Sequence, residues 1–251
     1  MKAVILAAGV GSRLRPLTDT CPKPMLPIAG RPLLARTLDW LRANAVGEAA
    51  LNLHYLPDVI CMSLSTGSAW GIALRYSYEE QLLGSAGAVR AIDDRFPGWL
   101  DQTFLLIYGD MLIDIDLADL LAFHRANSAI LTLALKRTTT PHSQGMVELD
   151  QFGRVTQFVE KPQSWVGGNQ ANAGVYVCEP SLLDQLPAGP SDFSRDIIPA
   201  LLRSETPIYG RLAHGYLLDI GTPNAYEQAQ RDWQSRQNYS TSCALLAIEA
   251  C

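Results

Sequence analysis

The chain has 251 residues, of which 48% are hydrophobic and 18% charged, and its net charge is −5 at pH 7. This composition is typical of a folded globular protein, and the acidic balance excludes bulk electrostatic attraction to nucleic acid or anionic lipid. The apolar runs are far shorter than the roughly 18 residues that a membrane helix needs, so no membrane span is predicted.

The cysteines and the N-terminus both favour a cytoplasmic protein. The five cysteines have no spacing typical of a disulfide framework or a zinc site; they are Cys21, Cys61, Cys178, Cys243 and Cys251. The apolar run at the N-terminus ends at Gly9 and is followed by arginines, which is not the pattern of a signal peptide.

Short apolar segments alternate with helical ones through the first half of the chain. Strands are predicted at residues 2–6, 49–53, 72–76 and 103–108, and helices at 32–44, 87–96 and 116–127. This order is typical of βαβ units and predicts a parallel sheet, in which ligands bind at the carboxyl ends of the strands.

The second half contains a predicted hairpin. Strands are expected at 129–136, 173–178 and 207–212, the hairpin strands at 146–150 and 154–160, and helices at 194–203 and 223–236. No linker or internal repeat divides the chain, so a single domain is predicted.

A glycine loop follows the first predicted strand. Gly9 and Gly11 precede Arg13 and Arg15, and the N–H groups of such a loop can hold phosphate oxygens. The segment lacks the Gly-Lys-Ser/Thr of a Walker A loop and the third glycine of a dinucleotide fingerprint. A tight turn with arginines in solvent explains the same residues, so the glycines alone leave both interpretations open.

Lysine is rare in this chain. Sixteen of the 20 basic residues are arginine, and the lysines are Lys2, Lys23, Lys136 and Lys161. Lys23 lies between Pro22 and Pro24, which fix its backbone at low entropic cost. An exposed loop lysine is the alternative, but the rarity of lysine and the nearby glycine loop favour a functional role.

Two aspartates are associated with apolar segments. Asp110 follows the predicted strand 103–108, and Asp219 lies within the apolar segment 216–221. Carboxylates at strand ends suit Mg²⁺, a hard ion held by one or two carboxylates together with substrate phosphates. Each aspartate alone is equally consistent with a helix cap or a turn.

A further polar group begins at the end of the predicted hairpin. Glu160 and Lys161 are adjacent there, and Asn172 follows. Carboxylate and amide groups suit sugar hydroxyls, and lysine suits a phosphate. From these residues alone, an ordinary surface hairpin is favoured. The four histidines are scattered, without the spacing of a metalloprotease site.

Taken together, these segments resemble the sugar-1-phosphate nucleotidylyltransferases. The shared segments, in the family's order, are residues 6–18, 22–25, 83–88, 109–110, 145–147, 160–162, 172–174 and 219–223. The resemblance implies an α/β fold with a Rossmann-like mixed, mostly parallel sheet flanked by helices. It places a nucleotidylyltransferase domain at 1–237 and a tail at 238–251.

The resemblance implies nucleotidyl transfer from an NTP to a sugar 1-phosphate, giving an NDP-sugar and pyrophosphate. It implies four catalytic residues, Arg13, Lys23, Asp110 and Lys161, with Mg²⁺ as cofactor on Asp110 and Asp219. The implied nucleotide-binding residues are Leu6, Ala8, Gly9, Gly11, Ser12, Arg13, Gly84, Ser85, Ala86 and Gly87. The implied sugar-binding residues are Gly145, Glu160, Lys161 and Asn172. Lys2 and Lys136 remain as solvated or structural lysines.

Segment 83–88 carries the implied substrate preference. Its sequence, Leu-Gly-Ser-Ala-Gly-Ala, is most similar to the form in mannose-1-phosphate guanylyltransferases, which implies GTP and mannose 1-phosphate. The alternative within the family is UTP or dTTP with glucose 1-phosphate or an amino-sugar phosphate. Outside the enzymes, the alternative is a non-catalytic regulatory protein that binds nucleotide sugars. The expected partners are small-molecule substrates, a homo-oligomer is left open, and the family's C-terminal β-helix is not expected.

Overall fold

The computed structural model describes residues 1–249, with side chains described through Arg236. The strands are β1 (Lys2–Leu6), β2 (Pro27–Ile28), β3 (Arg31–Pro32), β4 (Glu48–Leu53), β5 (Ala73–Tyr78), β6 (Phe104–Tyr108), β7 (Met111–Ile115), β8 (Leu131–Arg137), β9 (Gly145–Leu149), β10 (Val155–Glu160), β11 (Gln170–Cys178), β12 (Tyr209–Leu212) and β13 (Gly215–Asp219). The α-helices are α1 (Leu33–Ala43), α2 (Pro57–Leu64), α3 (Gly84–Arg95), α4 (Leu117–Ala126), α5 (Ile198–Arg203) and α6 (Pro223–Glu249).

Four parallel strands form one half of the main sheet, in the order β6-β1-β4-β5. β1 pairs with β4 on one side and with β6 on the other, so that Leu6 lies opposite both Asn52 and Tyr108. The carboxyl ends of these strands therefore meet at one edge of the sheet, as the alternation of strands and helices predicts.

The other half of the sheet is largely antiparallel. β11 pairs antiparallel with β6 and β8, and β12 pairs parallel with β8. The predicted hairpin is confirmed as β9 and β10, and β9 attaches it to β11 near the start of that strand. β7 and β13 pair antiparallel in a separate two-stranded ribbon. The mixed, mostly parallel sheet is thus confirmed.

Apolar residues on alternate sides of the strands produce two core layers. Ile5 of β1 packs in the layer that contains Leu38 of α1, whereas Val4 packs in the layer that contains Val89 of α3 and Ile198 of α5. This period-two alternation buries both faces of the central strands, as expected for a parallel sheet. Helices flank the sheet on both sides.

Some boundaries differ from those predicted. α3 begins at Gly84, three residues before the predicted start, because the backbone N–H groups of Ala86 and Gly87 donate to the carbonyl of Ser191 in a distant loop. β7 and α2 are not predicted from the sequence. α6 continues to Glu249, past the expected end at residue 236. The side chains of the predicted tail, 238–251, lie outside the described residues. No helix within residues 1–249 is long and apolar enough to cross a membrane.

Candidate active site

A cavity of about 230 Å³ opens at the carboxyl edge of the parallel strands. We call it the nucleotide compartment, because it contains residues that the resemblance assigns to the nucleotide; it is lined by Leu6, Ala8, Gly9, Lys23, Pro24, Asn52, Glu79, Leu82, Gly84, Ser85, Tyr108 and Asp110. The predicted residues Leu6, Ala8, Gly9, Gly84 and Ser85 are therefore brought together, although the chain separates the two groups by more than 70 positions.

Glycines shape the floor and the rim of this compartment. A Cβ on Gly109 would lie 2.6 Å from the carbonyl oxygen of Leu6, so only glycine allows the chain to leave β6 this close to β1. Gly11 has a φ of +68°, and a Cβ there would lie 3.1 Å from the Cβ of Lys23. Gly9 has open space around it, which leaves its backbone accessible to a ligand.

Glu79 is a buried acid that the sequence analysis missed. Its Oε1 accepts a hydrogen bond of 2.8 Å from the amide of Asn52, and its Oε2 accepts one of 3.1 Å from the backbone N–H of Leu83. Its place directly after β5, at the carboxyl end of a parallel strand, is the sequence signal that could have indicated it. The structure thus adds a fixed carboxylate to the nucleotide compartment.

Lys23 and the two predicted metal carboxylates form the centre of the site. The ammonium of Lys23 lies 2.5 Å from Oδ2 of Asp110 and 3.6 Å from Oδ1 of Asp219, and its side chain is only 9% exposed. Burial raises the pKa of Asp219, and the nearby charge of Asp110 raises it further. Two negative groups are therefore held close together, with one cation between them.

The β7–β13 ribbon brings the two aspartates to this position. Asp219, the last residue of β13, pairs with Met111, the first residue of β7. The backbone N–H of Ile220 donates a 3.1 Å hydrogen bond to the carbonyl of Asp110. The N–H of Gly221 donates to Oδ1 of Asp219 at 2.7 Å and fixes the direction of that carboxylate.

The donor set fits a hard divalent ion that also binds substrate. Asp110 and Asp219 offer two carboxylates, and within the described residues no group of three or more His, Cys, Asp and Glu side chains forms a complete metal cage. Mg²⁺ needs no such cage, because it binds to one or two carboxylates, waters and substrate phosphates. The residues present therefore fit Mg²⁺ as an ion shared between protein and substrate.

A second cavity, of about 190 Å³, lies beside the first. This sugar compartment contains all four residues that the resemblance assigns to the sugar: Gly145, Glu160, Lys161 and Asn172. Asp110 and Tyr108 line both compartments, so they mark the junction between them. Burial raises the pKa of Tyr108 to about 12, which keeps its hydroxyl neutral at the junction.

Neighbouring groups fix the polar side chains of the sugar compartment. Asn172 donates a 2.5 Å hydrogen bond to the hydroxyl of Tyr176 and accepts one of 3.2 Å from the N–H of Gly174. Lys161 is 54% exposed and lies 3.4 Å from a carboxylate oxygen of Glu160. The compartment thus offers a fixed amide, a carboxylate and a more mobile ammonium.

Arg13 and Lys136 extend the site away from the nucleotide compartment. Both line the sugar compartment and also an adjoining polar cavity of about 460 Å³, which includes Thr138, Thr140 and Thr222. Lys136, which the resemblance leaves as a solvated or structural lysine, is thus placed at the site, because β8 delivers its half-buried side chain there. Lys2 fits that expectation: it donates to the carbonyl of Trp99 and pairs with Asp101.

Five residues in the predicted nucleotide-binding set lie outside the lining of the nucleotide compartment, and Arg13, described above, is one of them. Gly11 and Ser12 continue the glycine loop past Gly9. Ala86 and Gly87 are buried in the first turns of α3, where their N–H groups bind Ser191. The geometry thus gives Ala86 and Gly87 a structural position behind the compartment.

Comparison with protein families identifies one family over almost the whole chain. The nucleotidyl transferase model matches residues 2–236. A mannose-1-phosphate guanylyltransferase of Mycobacterium tuberculosis is 38% identical over 232 residues, which cover 92% of this chain and 64% of that protein. A UTP–glucose-1-phosphate uridylyltransferase of Synechocystis is 36% identical over 252 residues, which cover 94% of this chain and 64% of that one. The chain thus spans a little less than two thirds of the length of these relatives.

Solved structures share the fold. HddC from Yersinia pseudotuberculosis superimposes with a TM-score of 0.77 at 26% identity, covering 92% of this chain and 99% of that one. A Bacillus anthracis structure described as a glucose-1-phosphate thymidylyltransferase superimposes with a TM-score of 0.81 at 20% identity, covering 92% of this chain and 94% of its own. With the family match over residues 2–236, these findings show that the chain belongs to the nucleotidyl transferase family.

Proposed function

We propose that the chain transfers a nucleotidyl group from an NTP to a sugar 1-phosphate and releases pyrophosphate. The observation that carries this proposal is the cluster of Lys23, Asp110 and Asp219 at the junction of the nucleotide and sugar compartments. A reaction that joins two phosphates needs charge neutralisation where the two substrates meet, and this is where the cluster lies.

In the proposed reaction, a phosphate oxygen of the sugar 1-phosphate attacks the α-phosphorus of the NTP, and the bond to the β-phosphate oxygen breaks. Lys23 lies at the junction and offsets the charge that develops around the α-phosphorus. Arg13 neutralises the departing pyrophosphate, and Lys161 binds the phosphate of the sugar substrate. The attack requires the two phosphates to be held in position, so much of the proposed rate enhancement comes from positioning in the two compartments.

We assign Mg²⁺ as the cofactor, held by Asp110 and Asp219. When bound, the ion neutralises phosphate charge that would otherwise repel the attacking oxygen. Lys23 keeps the two carboxylates close together, and the hydrogen bond from Gly221 orients Asp219.

We infer GTP as the nucleotide, and Glu79 supports this choice. Guanine presents two adjacent donors, N1–H and N2–H₂, which a carboxylate can accept as a pair, whereas uracil presents a single N3–H between two carbonyl groups. Glu79 lines the nucleotide compartment and is held on both oxygens by neighbouring donors. Mannose 1-phosphate is the proposed acceptor, in line with the guanylyltransferase among the relatives, and Glu160 and Asn172 suit its hydroxyl groups.

UTP with glucose 1-phosphate is the second candidate pair, because a uridylyltransferase is 36% identical to this chain. We place either reaction in the cytoplasm. The described cysteines Cys21, Cys61 and Cys178 are free thiols, which suits a reducing compartment.

A matrix of nucleoside triphosphates against sugar 1-phosphates, measured by pyrophosphate release, tests the proposal. We expect turnover to be fastest with GTP and mannose 1-phosphate and to require Mg²⁺. Fast turnover with UTP alone would replace the guanylyl assignment by the uridylyl one. Binding of a nucleotide sugar without pyrophosphate release from any pair would contradict catalysis and support a regulatory protein.

A further inference from the structure

Lys136 is a cation in the site to which the resemblance assigns no role. It is the penultimate residue of β8, where it pairs with Ala171 in the register of β11. Its half-buried side chain lines the sugar compartment. Within the described part of the chain, the ammonium of Lys136 forms neither a hydrogen bond nor an ion pair.

The acidic groups around Lys136 are already engaged elsewhere. Asp110 and Asp219 attract Lys136 through space, but both pair with Lys23. Glu160, the third acid of the compartment, lies beside Lys161. Burial lowers the pKa of Lys136, which is the cost of holding this ammonium away from water. A half-buried cation without a partner of its own is free to bind an anion from outside the protein.

The position of Lys136 indicates which anion this is. Lys136 shares its cavity with Glu160, Lys161 and Asn172, which are proposed to bind the sugar substrate. It does not line the nucleotide compartment. A sugar 1-phosphate carries up to two negative charges, and Lys161, with 54% of its side chain exposed, neutralises only one of them; Arg13 also lines this cavity but is assigned to the departing pyrophosphate.

We propose that Lys136 binds the phosphate of the sugar 1-phosphate as a second ammonium alongside Lys161. This inference rests on the proposed transfer reaction and adds a residue to it. Lys136 and Lys161 hold the nucleophilic phosphate from two sides, and the Lys136 contact forms in the less exposed part of the compartment. There the interaction is screened less by water and salt, so Lys136 contributes more binding energy than the exposed Lys161.

Two substitutions and one control test the assignment. Lys136→Met keeps the length of the side chain and removes the charge, Lys136→Arg keeps the charge, and Lys2→Met makes the same change at a distant lysine. In steady-state kinetics, Lys136→Met is expected to raise the KM for sugar 1-phosphate about tenfold or more, because this is the effect expected when a charge-assisted hydrogen bond is lost. The KM for the NTP should stay within about twofold, Lys136→Arg should recover most of the loss, and Lys2→Met should resemble wild type.

Binding without turnover gives an independent measurement. In calorimetry with sugar 1-phosphate and no NTP, Lys136→Met should bind about tenfold more weakly, whereas free sugar should bind all variants alike. Thermal unfolding separates this role from a structural one: removal of an unpaired, half-buried charge should leave the Tm of Lys136→Met unchanged or higher. A lower Tm together with an unchanged KM would overturn the proposal in favour of a structural lysine.

Other outcomes also decide the question. A rise in the KM for the NTP or in the inhibition constant of pyrophosphate, with the KM for sugar 1-phosphate unchanged, would overturn the proposal and place Lys136 on the leaving group. Unchanged kinetics in Lys136→Met would overturn it as well. Failure of the transfer reaction itself would appear differently, as a wild-type protein that releases no pyrophosphate from any substrate pair.

Discussion

Lys23 and Asp110, 87 residues apart in the chain, lie with ammonium and carboxylate oxygen 2.5 Å apart. Asp219 lies 3.6 Å from the same ammonium, so one lysine joins the end of β6 to the end of β13. The pairing explains how two carboxylates stay close together despite their mutual repulsion. It also means that the loss of one carboxylate changes the surroundings of the other two groups.

Asp110→Asn is expected to lower kcat by about a hundredfold or more, because it removes a proposed metal ligand at the reacting phosphates. Asp110 is a polar residue at a strand end, so the fold should persist and the Tm should change little. Pyrophosphate release at saturating Mg²⁺ measures the effect. Asp114→Asn, at an exposed position of β7, is the matched control and should keep wild-type kcat. A near-normal kcat in Asp110→Asn would contradict the metal assignment.

Glu79→Gln is expected to reduce the preference for GTP. A glutamine offers one acceptor and one donor group where the carboxylate offers two acceptors, so it cannot accept both guanine donors. We expect kcat/KM with GTP to fall at least about tenfold, while kcat/KM with UTP changes little. The ratio of the two values is the decisive measurement, since damage to the hydrogen bonds from Asn52 and Leu83 would lower both together. Glu80→Gln, at the exposed neighbouring position, is the control.

Gly145→Ala is expected to weaken binding of the sugar substrate. A Cβ on Gly145 would lie 2.7 Å from Cζ of Phe158 and 2.8 Å from Oε2 of Glu160, so that the carboxylate must move. A displacement of this size should raise the KM for sugar 1-phosphate by about tenfold to a hundredfold. Overpacking should lower the free energy of unfolding by about 1–3 kcal/mol. Gly47→Ala is the control, because a Cβ there meets no atom within 4 Å; equal KM values in both variants would contradict the role of Gly145.

His124 makes the stability of the protein depend on pH. Its Nδ1 lies 2.8 Å from the hydroxyl of Thr132, and its Nε2 lies 3.0 Å from Oε1 of Glu179. Burial lowers the pKa of His124, and the opposing attraction of Glu179 does not compensate. The unfolded chain therefore takes up a proton at a pH where the folded protein does not. Stability is complete above about pH 6.5 and is lost as the pH falls through that value toward the lower pKa of the folded state.

Urea unfolding measures this pH dependence. Between about pH 7.5 and about pH 5.5, the wild-type unfolding midpoint should fall further than that of His124→Gln, which has no imidazole to protonate. His214→Gln replaces an exposed histidine and should behave like wild type. If the unfolding midpoint falls equally in the wild type and in His124→Gln, groups other than His124 control the loss of stability at acidic pH.

The parallel half of the fold and its glycine loop could be predicted because their signals are local. β1 is a short apolar run that leads into a glycine loop, and Asp110 lies two residues after the end of β6. The position of Glu79 directly after β5 is also a local signal, but the hydrogen bonds that fix Glu79 and the start of α3 could not be predicted in this way. Their partners, Asn52 and Ser191, are far from them in the chain, and only tertiary contacts bring these groups together.

Lys136 shows the same limit for a site residue. Lysine is rare in this chain, which draws attention to Lys136. The order of residues in β8, however, contains no information about what lies opposite the end of that strand. The pairing of β8 with β11 places Lys136 opposite Ala171, next to Asn172 in sequence. The proposed role of Lys136 therefore depends on strand pairing, which a single sequence does not specify.

The β7–β13 ribbon also makes the candidate site depend on residues that are far apart in the chain. Residues 1–110 supply the lining of the nucleotide compartment, whereas Asp219 leaves the ribosome more than 100 residues later. A nascent chain that lacks β13 has the groups that surround a nucleotide but only one of the two carboxylates. Because a domain folds as a unit, the two carboxylates come together only when the chain is complete through β13, so a truncation before β13 removes half of the proposed metal site.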